Sequence, residues 1–173
     1  MSTDALVVRA ATETDLAAMA AMAADLVRFH HALDPARFFL ARGVEQGYRE
    51  WFGRELPRAN TILLVATKDD AIVGYAYGRV EGRDWNMLLD KHAALHDVFV
   101  SEDARGTGAG ERLVRAFCAR AGALGAPRVV LSTATSNTRA QKVFARCGFR
   151  PTMIEMTREC ADDDPDDQGA AGL

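Results

Sequence analysis

The residues with the clearest chemical potential lie in Arg105-Gly106-Thr107-Gly108-Ala109-Gly110. Glycines at alternate positions let backbone N–H groups turn inward together and approach a ligand closely. Leu113, Val114, Phe117, Cys118, Ala121 and Leu124 then recur on one helical face. The turn therefore stands where a helix begins and its dipole presents a positive end. Such a turn suits an anion, phosphate above all. The apolar run Leu95 to Val100, interrupted by His96 and Asp97, leads into it as a strand. The spacing departs from the Gly-x-Gly-x-x-Gly of dinucleotide folds, and no Gly-Lys-Ser/Thr follows, which argues against a nucleotide-hydrolysing phosphate loop.

The elements that must position this turn follow from periodicity and punctuation. Leu6 to Ala10 reads as a first strand, and Thr12-Glu13-Thr14-Asp15 as a helix start with Thr12 at the N-cap. Leu16, Met19, Ala20, Ala23, Leu26, Val27 and His30 form the buried stripe of that helix, which Asp34-Pro35 closes. His30 continues the stripe as a packed histidine or a substrate contact. Val44, Tyr48, Trp51, Phe52 and Leu56 align on a second helix stopped by Pro57. Thr61 to Thr67 and Ala71 to Val80 predict a hairpin turned at Lys68-Asp69-Asp70. Val73, Tyr75, Tyr77 and Arg79 share one face of its second strand; Ile72, Gly74, Ala76 and Gly78 share the other, where something packs closely. Glu81 to Lys91 reads as a loop with a helical turn near Met87 to Leu89. After the third helix, Gly125-Ala126-Pro127 breaks the chain, and Val129, Leu131 and Thr133 make another strand. Ala140, Val143, Phe144 and Cys147 face inward on a fourth helix that Gly148 ends. Phe149 to Glu159 supplies one or two last strands.

The order predicts an α/β (α+β) fold, with a mixed, mostly antiparallel sheet of six to seven strands and about four helices. The 173 residues suffice for one domain, placed at 1–160. Five aspartates between 162 and 167, with Pro165 and small residues, mark 161–173 as an acidic, disordered tail. The body without them is slightly basic. No apolar run is long enough for a membrane span, and Met1-Ser2-Thr3-Asp4 lacks a signal peptide's features. Cys118, Cys147 and Cys160 show no metal-ligand spacing and read as reduced, mostly buried thiols of a cytoplasmic protein. No basic patch with interleaved aromatics suggests nucleic acid.

Arg105-Gly106-Thr107-Gly108-Ala109-Gly110 resembles the Arg/Gln-x-x-Gly-x-Gly/Ala signature of the GNAT acetyltransferase superfamily. A second match lies downstream: Asn137-x-x-Ala140-x-x-Val143-Phe144-x-x-x-Gly148-Phe149 is similar to the family's Asn-x-x-Ala-x-x-Leu-Tyr-x-x-x-Gly-Phe. The resemblance covers roughly residues 5 to 160. It implies a fold in which the fourth and fifth strands splay apart to admit acetyl-CoA as co-substrate. It also implies an acceptor region between the first and second strands, with His31, Asp34, Phe38 and Tyr48 as candidates.

By that resemblance, residues 98–100 (Val98, Phe99, Val100) lie in a bulged fourth strand whose backbone meets the cofactor. Gly106, Thr107, Gly108, Ala109 and Gly110 hold its pyrophosphate. Arg105 supports the phosphates or salt-bridges the loop, and Asn137 bonds the pantetheine arm or caps the fourth helix. Amine acetylation needs a base, a stabilised carbonyl oxygen and a leaving thiolate. His96 and Asp97 are the candidates for the first need, and their adjacency in a strand sets them on opposite faces. The ordinary pKa of histidine, near 6.5, suits proton removal at neutral pH, and Asp97 orders water or structure. Related enzymes have a tyrosine where this chain has Phe144, which has no proton to give; Tyr75 and Tyr77 are possible substitutes. The expected activity is acetyl transfer to a primary amine of a small molecule or peptide, with a homodimer as the expected assembly. A non-catalytic acyl-CoA-binding module, suggested by Phe144, and a nucleotide-binding protein are the competing readings.

Overall fold

The structure is a computed structural model, and it describes residues 6–160. The expected chain start and the acidic tail at 161–173 lie outside the described residues. The elements are β1 (Val7–Ala10), α1 (Leu16–Leu33), α2 (Val44–Glu55), β2 (Thr61–Lys68), β3 (Ala71–Glu81), β4 (His92–Val100), α3 (Ala109–Ala123), β5 (Val129–Val130) and α4 (Thr138–Arg146). The strands form one sheet in the order β1-β2-β3-β4-β5, antiparallel except for the parallel β4–β5 pair.

Side-chain alternation divides the interior into two layers. On one face Ile62, Leu64, Ala66, Ala76 and Leu95 pack against Leu113, Val114, Phe117 and Ala121 of α3. On the other Leu63, Val65, Tyr75 and Tyr77 meet Met19 and Ala23 of α1 and Phe52 of α2. The small residues of β3 mark the α3 face, as expected. A Cβ on Gly78 would lie 2.1 Å from Ala94 O and 2.6 Å from the Phe117 ring, so only glycine lets α3 settle there. Ile72 and Val73 exchange the faces that alternation assigns them, because a register shift between Ala66 and Thr67 adds one residue to β3.

Local signals explain the boundaries. The Asp15 carboxylate accepts from Thr12 N–H at 2.7 Å and from the Thr12 hydroxyl at 2.9 Å, and a 3-10 turn over Glu13–Asp15 leads into α1. Asp69 and Asp70 take φ of 49° and 63°, the left-handed pair that a two-residue hairpin requires. At Gly148, φ is 90° and Phe149 N–H returns to Phe144 O at 3.0 Å, closing α4.

Among the described residues the sheet has five strands, not six to seven. β5 is only Val129–Val130, pairing with Ala93 and Ala94; Leu131 and Thr133 leave the ladder. Residues 149–159 form no strand, since a two-residue edge offers little backbone to pair with. Met153, Ile154 and Met156 are exposed there, and Arg37 pairs with Glu155. The 81–91 loop has no helical turn at Met87. Asp84 and Leu89 exchange N–H···O bonds of 2.8 and 3.0 Å around a tight reversal, with Leu88 at φ 52°. Cys118 and Cys147 are only half-buried and Cys160 is exposed. No helix among the described residues is long and apolar enough to cross a membrane.

Candidate active site

The decisive local feature is a bulge in β4. Tyr77 lies opposite Asp97, but Gly78 lies opposite Leu95, so His96 is an extra residue with no partner in β3. A bulge sets two residues against one and re-aims their side chains. Leu95 stays in the α3-facing core, while His96 and Asp97 both turn to the α1/α2 side. The expectation of opposite faces is therefore corrected: both line one cleft of about 610 Å³. The bulge also sits at His96 rather than around Val98 to Val100.

The surroundings of these two side chains differ. The His96 ring lies 5.5 Å from that of Tyr77, tilted 30°, and its Nε2 is 3.4 Å from Glu81 Oε1. Glu81 is held in turn by Arg79 at 3.2 Å and by buried His92 at 3.7 Å. Asp97 accepts one hydrogen bond from the Tyr75 hydroxyl at 3.2 Å. Burial pushes its carboxyl up to about 6, against the smaller opposing effects of that bond and of His96. Burial, with the Asp97 charge next, also raises the Tyr75 and Tyr48 hydroxyls above the tyrosine range. The Tyr77 hydroxyl, pushed up to about 12 chiefly by burial, donates to Glu55 Oε2 at 3.1 Å. Both tyrosine hydroxyls considered as replacements at Phe144 are thus engaged on the α1/α2 side.

Sequence reasoning missed Glu55, Arg79 and Glu81. Glu55 is fully buried at the end of α2, receives the Thr61 hydroxyl at 3.1 Å and lies 3.7 Å from the Arg79 guanidinium. The available signals were an acid one helical turn beyond Trp51 and Phe52 and a charge continuing the Tyr75/Tyr77 face. Of the expected acceptor residues only Tyr48 lines the cleft. His31, Asp34 and Phe38 do not; Phe39, Arg42, Val44 and Trp51 stand there instead. His31 Nδ1 meets Phe38 O at 2.8 Å and so braces the α1–α2 loop.

The glycine turn lies where β4 runs into α3. Gly106 and Gly108 have φ of 83° and 87°, a region that L side chains rarely adopt. Gly108 is the N-cap of α3, and the amides of Ala109 and Gly110 belong to its first turn, where helical N–H groups lack intrahelical partners. Thr107 is committed to the loop, its hydroxyl donating to Ala104 O at 2.7 Å. Arg105 braces it as well, with Nε on Val100 O at 3.4 Å and Glu102 at 3.7 Å.

Ser101 N–H donates to Val73 O at 2.9 Å. Antiparallel alternation then assigns the peptide groups of Phe99 and Asp97 to β3 and turns those of Val98 and Val100 toward the β5 side. β5 pairs only with Ala93 and Ala94, so this stretch of β4 borders a gap. The Phe99 side chain packs with the α1/α2 core instead. Asn137 Oδ1 accepts from Ala140 N–H at 3.2 Å as the α4 cap. Phe144 stacks edge-on with Phe149 at 6.0 Å.

Comparison with known proteins bears on the family and the fold. The family model described as acetyltransferase (GNAT) family matches residues 23–149. The chain belongs to the GNAT family. An uncharacterized N-acetyltransferase of Mycobacterium tuberculosis is 33% identical over 99 residues, 57% of this chain and 59% of that protein. The L-methionine sulfoximine/L-methionine sulfone acetyltransferase of Pseudomonas aeruginosa is 30% identical over 101 residues, 57% of this chain and 56% of that protein. The match thus spans a little under three fifths of these curated relatives. A crystallised aminoglycoside N-acetyltransferase, AAC(6')-Iy in complex with CoA, superposes with a TM-score of 0.71 at 18% identity, covering 91% of this chain and 95% of that one. That likeness is one of fold. This GNAT chain therefore couples a glycine turn at a helix start to a cleft on the opposite face of the sheet.

Proposed function

We propose that the protein transfers an acetyl group from acetyl-CoA to a primary amine of a small molecule or peptide, by direct attack in a ternary complex. The observation that carries this reading is the β4 bulge, which brings His96 and Asp97 to one cleft beside the outward-turned peptides of Val98 and Val100.

The residues present fit the co-substrate. Gly106 and Gly108 hold the positive-φ turn that opens the first amides of α3, a place suited to a pyrophosphate. Val98 offers its peptide N–H and C=O, and Val100 its N–H, to an extended amide-bearing arm and to a polarised carbonyl oxygen. When bound, acetyl-CoA supplies the acetyl group as a thioester and keeps the C–S electron pair on departure. On the protein side, Asp97 receives the acceptor ammonium. His96 removes one of its protons, the freed nitrogen lone pair forms the new C–N bond, and a second N–H proton passes to solvent as the C–S bond breaks. Glu81, at Nε2, favours the tautomer that leaves Nδ1 as the accepting atom. Phe144 has no proton for the leaving sulfur, so solvent water supplies it.

The non-catalytic acyl-CoA-binding alternative is less favoured, because a mere binding module has no need of an acid and an imidazole re-aimed into the same cleft. An amine-panel assay for free-CoA release tests the choice. Turnover that requires both an amine and His96 is the expected result. Tight CoA binding with no amine-dependent release would leave the binding module. CoA at ~100 times its dissociation constant should also stabilise the native state by about 2.7 kcal/mol.

A further inference from the structure

The cleft beside His96 and Asp97 is walled by Val27, Phe39, Val44, Tyr48, Trp51 and Tyr77. Phe39 is 77% exposed and leaves its ring largely uncovered, while Trp51, 38% exposed with the Arg54 guanidinium 5.7 Å from its ring centroid, adds a smaller apolar patch. Covering such surface with an apolar ligand releases its water and favours binding. The size, about 610 Å³, falls in the range of small-molecule sites. The charges of the wall are lopsided. Asp97 is the single acid among the lining residues, against the two arginines Arg42 and Arg79. Arg79 already has Glu55 and Glu81 as partners. One ammonium can pair with Asp97. A second would find Arg42 and no further lining carboxylate, and unpaired like charges in a cleft repel.

We propose that the acceptor is a monoamine with an apolar or aromatic body, its ammonium on Asp97 and its body against Phe39 and Trp51, and that polyamines and other polycations are rejected. The inference rests on the acetyl-transfer reading above and narrows its acceptor.

Initial rates of free-CoA release by the full chain, with acetyl-CoA and either 2-phenylethylamine, ethylamine or spermidine, test it. The kcat/KM for 2-phenylethylamine should exceed that for spermidine by at least about 100-fold, within the range that pocket contacts supply. Phe39→Ala, at a site too exposed to endanger folding, should lower the ratio of phenylethylamine to ethylamine turnover by about tenfold. Trp51→Leu should move that ratio in the same direction. If spermidine matches the aromatic amine, or Phe39→Ala leaves the ratio unchanged, the inference is overturned while amine-dependent CoA release keeps acetyl transfer. If CoA binds but no amine releases it, the acetyl-transfer reading falls and this inference falls with it.

Discussion

Asp15 and Asp97 are two enclosed aspartates in opposite circumstances. Asp15, at the start of α1, takes two hydrogen bonds from Arg9 at 2.7 and 2.9 Å and two from Thr12. The Arg9 bonds, ahead of the opposing effect of burial, hold its carboxyl at about 2. Asp97, in the cleft, has the Tyr75 hydroxyl and is pushed up to about 6 by burial. The first carboxylate is saturated and stabilises the fold. The second keeps acceptor capacity that the protein does not use, at a cost in stability. A fold tolerates such a group where a ligand is to complete it.

The largest effect should separate function from folding at the cleft. His96→Ala is expected to lower turnover by roughly 10²–10⁴-fold, with CoA affinity and melting temperature little changed. Calorimetry and steady-state kinetics check it, and normal turnover across pH would remove His96 from the mechanism.

Asp15→Asn should act on stability alone, costing about 2 kcal/mol at pH 7. The folded pKa lies below the ordinary value. The stabilisation is therefore present above about pH 4 and is lost as pH falls toward 2. Urea unfolding at pH 7 and pH 2.5 should show the gap between wild type and variant closing; a gap independent of pH would dissolve the contrast with Asp97.

Asp97→Asn should reverse the sign. A folded pKa above the ordinary one means that the ionised wild type pays for burial above about pH 6 and pays nothing below about pH 4. The variant should therefore be more stable at pH 7 by about 1–2 kcal/mol, the full shift being discounted because the carboxyl borders a solvated cleft, while acceptor turnover falls. Denaturation curves at the two pH values decide; a loss of stability at pH 7 would mean that Asp97 is structural after all.

The smallest effect belongs to Glu81→Gln. It removes the carboxylate at His96 Nε2 and should lower turnover by less than about tenfold, with a changed tautomer ratio visible by ¹⁵N NMR of the histidine ring. An unchanged ring spectrum would show that Glu81 does not orient it.

Four helices, the β2–β3 hairpin, the small-residue face of β3 and the glycine turn were legible in the chain, because each is coded within a few neighbouring residues. Periodicity names the buried stripe, glycine and aspartate fix left-handed φ, and Asn137 and Gly148 bracket α4. Family membership was legible too, since both motifs are short and contiguous. What only the tertiary structure decided depends on pairing between distant segments. The length of β5 is set by where β4 stops accompanying it, which left Leu131 and the 149–159 segment outside the sheet. The bulge at His96 is a mismatch between β3 and β4 that neither strand records alone. It moved His96 to the side of Asp97, gathered Glu81 and Arg79 beside it, and so made a cleft from residues that strict alternation sets apart.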